Sequence, residues 1–255
     1  YYTIISLSCP LPPGALFWME IAAFFGMATK YTEGFLAIKY RITDCEGTKL
    51  GGPFYYIENG MGKKYKPLAK IFAFFGVFVG LMGIGTFTQI NGISSATNNF
   101  FHGKNGTSIH IFGNEYSLVT IITGIIITLF AALVIIGGIK NISNVSQIVV
   151  PFMAVMYILC ALIIVFTHID RIPDVISQII GGAFGIKPLE GATVGTTIMI
   201  AMQKGVARGI FSNEAGLGSA PIASAAAKTK NPVRQGLVTM TETFIDTICV
   251  CTMTG

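Results

Sequence analysis

The stretch that most constrains this chain is T-V-G-T-T-I-M-I-A-M-Q-K-G-V-A-R-G-I-F-S-N-E-A-G-L-G-S-A-P-I-A-S-A-A-A-K, residues 193–228. Residues 192–202 are apolar enough to enter a membrane, and residues 215–227 are rich in small side chains and permit a helix. Between them stand Lys204, Arg208, Ser212, Asn213 and Glu214, punctuated by Gly205, Gly209, Gly216 and Gly218. One continuous spanning helix would put these groups in or near hydrocarbon, where a charge costs at least ~3 kcal/mol. Non-helical backbone at membrane depth persists only where protein buries it or where it lines a wet cavity. A glycine-interrupted apolar segment of this kind is the pattern of a transporter's binding region.

Composition supports a membrane setting. Of 255 residues, 52% are hydrophobic and 11% charged, against about 25% charged in a soluble domain. The net charge of +5 is not a nucleic-acid footprint, because the basic residues lie in links between apolar runs rather than on one soluble face. Five cysteines occur without a C-x-x-C pair. Cys160, Cys249 and Cys251 sit inside apolar runs and read as buried free thiols. Both ends lie in hydrophobic sequence, with no initiator Met, signal peptide or polar terminal domain, so a fragment of a longer polypeptide is expected.

Spans of about 20 apolar residues can be placed in order. Residues 1–13 are too short and too proline-rich for a helix. A first complete span runs from Pro13 to about Ile38 and carries Lys30 and Glu33, three apart and able to face each other. The polar link 39–70 contains G-G-P-F-Y-Y-I-E-N-G-M-G, whose glycines and proline predict turns and whose aromatics predict an interfacial anchor. A second span covers about 68–96, with Gly76 and Gly80 as a small-residue packing face and a polar second half holding Thr86, Thr88, Gln89 and Asn91. Residues 98–116 read as a polar loop with an N-G-T triplet at Asn105. Spans at 117–136 and 147–167 follow, the latter with Pro151 in its first turn. Residues 168–187 read as an interfacial amphipathic helix. The broken span comes next, and 237–254 begins another, carrying Glu242 and Asp246.

Charge sets the orientation. If the 39–70 link is cytoplasmic, alternation puts eleven Lys and Arg residues on that side and three (Lys104, Arg171, Lys187) on the other, as the positive-inside rule requires.

Several polar groups are candidates for chemistry. Ser212 or Asn213 could cap a helix restarting within 212–221, where exposed N–H groups suit an anion such as a carboxylate; a capped loop without a ligand is the alternative. Glu214 and Asp246 are acids at membrane depth, either paired with Lys204 or Arg208 or contacting a cation. Gln89, Asn91, Thr86 and Thr88 either face a cavity or bond neighbouring helices. No H-E-x-x-H, G-x-S-x-G, dinucleotide fingerprint or P-loop is present, so no enzyme and no ATP-driven pump is expected. A channel or a non-transporting membrane scaffold is the rival to a carrier.

The runs P-G-A-L-F-W-M (13–19), A-F-F-G-M-A-T-K-Y-x-E-G (23–34), G-G-P-F-Y-Y-I-E (51–58), G-V-A-R-G-I-F-S-N-E-A-G-L-G-S-A-P (205–221) and F-I-D-T-x-x-V-C-T (244–252) resemble the alanine/glycine:cation symporter family, also called sodium:alanine symporters. The resemblance is ordered and covers nearly the whole chain. It implies an all-α integral membrane protein with a leucine-transporter-like inverted-repeat fold, present in part, from about the second helix to the start of the seventh. Residues 1–12 would be a remnant or aberrant first helix, 13–187 the rest of the first repeat and 188–255 the start of the second, in one transmembrane domain. Leu11–Pro12 stand where the family has two glycines, and Glu20 where it has tryptophan. The implied activity is sodium-coupled symport of alanine or glycine in a prokaryotic plasma membrane, by a monomer surrounded by lipid, with sodium as the co-transported ion, no resident metal and no nucleic-acid partner. The implied substrate wall is Gly205, Gly209, Phe211, Ser212 and Asn213, with Gln89 and Asn91 contributing polar contacts from another helix; Asp246 and Thr247 are the implied ion ligands. The 255 residues alone are expected to be inactive.

Overall fold

The computed structural model describes residues 12–45, 47–82, 84–102, 108–111, 114–185 and 194–255. The first eleven residues, with their expected helix remnant, and the Asn105 triplet lie outside these. Among the described residues, four helices are long and apolar enough to cross a membrane: Lys63–Met82, Leu118–Ile136, Asn141–Thr167 and Pro232–Thr254. The described residues divide into two compact units, one of residues 79–160 and one of residues 12–78 together with 161–255.

The second unit is built around α1, Gly14–Lys39. Pro13 precedes it at φ −51, a torsion already suited to a helical turn. Its buried face is mostly small: Gly14, Ala15, Ala23, Gly26, Gly34 and Ala37. Small residues let helices approach closely where lipid supplies no hydrophobic drive between them. A Cβ on Gly14 would lie 2.2 Å from the Ala183 backbone nitrogen, and one on Gly34 would lie 2.2 Å from Thr239 Oγ1. Against α1 pack α7 (Ile172–Ala183), α8 (Val194–Asn213), α9 (Ser219–Ala225) and α10 (Pro232–Thr243). The Trp18 indole N–H donates to the Ala183 carbonyl at 3.3 Å, and Phe17 and Trp18 meet Phe184. At the other end of α1, the Arg41 guanidinium donates to the carbonyls of Ala225, Ala227 and Thr229 at 2.9, 2.7 and 2.6 Å, satisfying the orphan acceptors at the end of α9.

Several boundaries differ from the sequence expectation. The expected Lys30–Glu33 pair does not form: the buried Lys30 reaches Glu242 at 3.7 Å. Residues expected as turns form α2, Pro53–Met61, with Pro53 in its first turn, preceded by the antiparallel pair Ile42–Thr43 and Lys49–Leu50. A 3-10 turn, Lys63–Tyr65, leads into α3, Lys66–Met82. Gly76 and Gly80 have nothing within 4 Å of a built Cβ, so among the described residues they make no close helix contact.

In the first unit α4 runs Ile84–His102. The expected polar loop after it holds an antiparallel hairpin, Ser108–Ile111 with Asn114–Ser117. Next comes α5, Leu118–Ile136, apolar and unburied along its length, as a lipid-facing helix is. Helix α6 starts at Gly138 and continues to Thr167. The helix thus begins nine residues before the expected span at 147–167, and Pro151, expected in its first turn, lies in its interior, where it removes one backbone donor.

Candidate functional site

The structure places the break of the 193–228 segment later than its glycines suggest. Helix α8 runs unbroken through Lys204, Gly205, Arg208 and Gly209, because Gly205 and Gly209 serve its packing on α1. A Cβ at Gly205 would lie 2.2 Å from the Ala15 carbonyl oxygen, and one at Gly209 would lie 3.3 Å from Met19. The helix closes with the Glu214 N–H donating to Ile210 O at 2.8 Å. Glu214 then takes a left-handed φ of 54, followed by Gly216 at 84 and Gly218 at 80. A non-glycine residue in this region is uncommon and marks a tightly determined turn. The Ser219 hydroxyl donates to Glu214 Oε2 at 2.5 Å, which fixes the turn from the far side.

Neither Ser212 nor Asn213 caps the next helix, contrary to expectation. Helix α9 begins after Gly218 with no side-chain cap. Asn213 instead accepts from the Ala215 N–H at 3.0 Å, a local turn bond that ends α8. Ser212 points across to the π-helical segment Phe244–Cys251, which continues α10 and passes into α11, Thr252–Thr254. π-turns are rare and concentrate at functional positions.

Four of the expected residues come together here. The Ser212 hydroxyl donates to Asp246 Oδ2 at 2.7 Å, and the Thr247 hydroxyl donates to the same oxygen at 3.3 Å. The Asn213 amide donates to Thr247 Oγ1 at 3.4 Å. Thr247 is fully buried and Asn213 is 6% exposed. On α1, Gly26 faces this cluster: a Cβ there would lie 3.6 Å from the Asn213 amide nitrogen. One carboxylate and two hydroxyls offer oxygen here, which suits a hard cation, while Asn213 turns its amide nitrogen to Thr247 and its oxygen to the Ala215 N–H. No cluster of three or more His, Cys, Asp or Glu set to hold a metal occurs among the described residues.

Other expected residues lie elsewhere. The Phe211 ring is 41% exposed, with the Arg208 guanidinium 5.9 Å from its centroid. Gln89 and Asn91 are exposed on α4, in the other unit. Four residues that sequence reasoning passed over complete the polar seam. Cys251 Sγ is 3.9 Å from Ser212 Oγ, the Thr252 hydroxyl donates to Glu20 Oε1 at 2.8 Å, and the buried Thr243 hydroxyl has no hydrogen-bond partner. Thr243, Thr247 and Cys251 recur every four residues, a spacing that a polar-face reading could have found.

A second polar cluster surrounds the turn. Glu33 is 8% exposed, and its Oε2 lacks a hydrogen-bond partner. The amides of Gly216 and Gly218 approach its carboxyl group, and Lys30 lies near enough to act on it electrostatically. Tyr56 of α2 faces the same carboxyl, and burial with that negative charge pushes its phenol above the ordinary value.

Comparisons with known proteins identify the family. The model of the "Sodium:alanine symporter family" matches residues 11–255. An "Uncharacterized transporter" of Haemophilus influenzae is 51% identical over 95% of this chain and 50% of its own length. "Sodium/alanine symporter AgcS" of Methanococcus maripaludis is 48% identical over 95% of this chain and 50% of its own length. "Amino-acid carrier protein AlsT" of Bacillus subtilis is 38% identical over 95% of this chain and 47% of its own length. The chain thus spans about half the length of the curated relatives it matches. It is an α-helical, multi-pass membrane protein, and it belongs to the sodium:alanine symporter family.

Proposed function

We propose that these residues form part of a sodium-coupled symporter of small neutral amino acids, alanine or glycine, in a prokaryotic plasma membrane. The observation that carries this reading is the oxygen-lined cluster of Ser212, Asn213, Asp246 and Thr247 between the end of α8 and the π-helical segment, in a chain of this family. Sodium supplies the driving force. The carboxylate of Asp246 supplies the negative charge that offsets it, and the two hydroxyls orient that carboxylate. The amino-acid substrate sits beside the turn at 214–218, with Phe211 as a further wall residue on an α8 that Gly205 and Gly209 hold against α1. A ligand shifts a two-state equilibrium only by its differential affinity for the two states. Sodium and substrate bound at the joint between α8 and α9 have that lever, since the joint is where the backbone changes direction.

The relatives are about twice as long, so on this reading 255 residues alone do not sustain uptake, and the working unit is a monomer in lipid. The test is uptake of labelled alanine into proteoliposomes by the complete gene product and by these 255 residues alone. Uptake by the complete product that saturates in alanine and requires an inward sodium gradient is expected, with none by the 255 residues. Non-saturating flux independent of sodium would replace the carrier by a channel.

A further inference from the structure

The junction between α2 and α3 crowds cations where a helix least tolerates them. Gly62, at φ 101, turns the chain out of α2. Lys63, Lys64, Lys66 and Lys70 then fall within eight residues, in the 3-10 turn and the opening turns of α3, and all four are exposed. The first turn of a helix is the positive end of its dipole, so cations there are unfavourable and acids favourable. Helix α3 has no acid in its first turn. Glu58 of α2 offsets one charge by pairing with Lys66 at 2.8 Å. Lys63, Lys64 and Lys70 make no ion pair among the described residues.

The same junction exposes apolar side chains. Met61, Tyr65, Leu68 and Ile71 are 55, 43, 47 and 53% exposed, and the helix they lead into is long and apolar enough to cross a membrane. Exposed apolar groups with a tyrosine at the mouth of a span belong at headgroup depth. Lysine stems lie along such a surface while their ammonium groups reach outward. Clusters of four or more basic residues next to a span attract anionic lipid.

We propose that residues 61–71 form a docking surface for anionic phospholipid, with Lys63, Lys64 and Lys70 holding headgroup phosphates and Met61, Tyr65, Leu68 and Ile71 resting in the acyl boundary. The occupant is a lipid rather than a soluble anion because the uncompensated cations, all exposed, are interleaved with exposed apolar groups at a span end. The inference stands on membrane placement alone and holds whether or not the protein carries alanine.

The experiment is native mass spectrometry of the complete gene product in detergent, offered dioleoylphosphatidylglycerol or dioleoylphosphatidylcholine at equal mole fraction. Three proteins are compared: the unaltered protein, K63Q/K64Q/K70Q, and K228Q/K230Q/R234Q, which loses the same charge elsewhere. Retention of phosphatidylglycerol over phosphatidylcholine is expected in the first and third, with the preference falling at least about tenfold in the junction variant. Equal losses in the two variants, or no preference in the unaltered protein, would overturn the proposal. Displacement of the lipid by inorganic phosphate at equal concentration would make the junction a soluble-anion site and overturn it as well. If the junction variant fails to fold, salt decides on the unaltered protein alone: a preference that does not shrink as ionic strength rises rejects the electrostatic contact.

Discussion

At Asp246 two hydroxyls, from Ser212 and Thr247, converge on one carboxylate oxygen and fix its orientation. Asp246→Asn keeps the shape and removes the charge. In the complete gene product it is expected to raise the sodium concentration for half-maximal alanine uptake at least about tenfold; Ser212→Ala removes one hydrogen bond, worth about 1 kcal/mol, and should raise it about fivefold. Sodium titration of uptake checks both, and an unchanged sodium requirement in Asp246→Asn would remove Asp246 from the ion site. Arg41 presents a structural case. It donates to three carbonyls at and beyond the end of α9, and Arg41→Gln leaves most of them unpaired. A loss of about 3 kcal/mol in unfolding from detergent is expected; a loss below about 0.5 kcal/mol would show that water replaces the guanidinium. Asp246 stood out in the sequence because an acid in an apolar run is unusual, whereas Thr247 came only with the family resemblance. The role of Arg41 was not, since its three acceptors lie more than 180 residues away and backbone carbonyls carry no residue signature.

Helix α8 shows what periodicity and composition do at the element scale. Its glycines looked like breaks, yet Gly205 and Gly209 are where α8 meets α1, and the chain turns only at Glu214. The difference is physical: a glycine costs a helix about 1 kcal/mol, which close packing against Ala15 and Met19 can offset. Gly205→Leu must therefore push a side chain into the Ala15 carbonyl and should abolish the folded, detergent-stable protein, while Gly195→Ala, with nothing within 4 Å of its Cβ, should leave expression and melting unchanged. Size-exclusion profiles of the two variants separate the readings, and a normally folded Gly205→Leu would contradict the close contact. The π-helical segment was illegible, because its composition is that of an ordinary apolar helix. The hairpin at 108–117 was missed because its strands are only four residues long and partly polar. Helix α2 offers a pH test. Burial, then the Glu33 charge, raises the Tyr56 phenol above its ordinary value of 10.0. The folded state thus holds the proton more tightly than the unfolded one, so the associated stability is complete below about pH 10 and is lost as pH rises through the raised value. Melting of the unaltered protein should fall more steeply above pH 10 than melting of Tyr56→Phe; parallel curves would separate Tyr56 from Glu33.

Across the whole molecule the apolar spans were the most legible feature, because lipid leaves a spanning helix no alternative way to satisfy its backbone. The spans at 118–136 and 232–254 fall within a few residues of expectation on that account alone; the helix at 14–39 has the expected bounds but, with four charged residues, is not among the four apolar enough to cross, and its packing depends on contacts between residues far apart in the chain. Orientation rests on eleven basic residues against three, and it can be tested directly. Cys45 is exposed in the link after α1, so a variant retaining it as the sole thiol carries its own reporter. A membrane-impermeant maleimide is expected to label it in inside-out vesicles and not in right-side-out ones. Glu115→Cys on the hairpin, in a background without other thiols, should show the opposite pattern. Labelling of Cys45 from outside would invert every link. The four lysines at the start of α3 would then face the outer leaflet, and eleven cations would have crossed the membrane against the rule that sets topology.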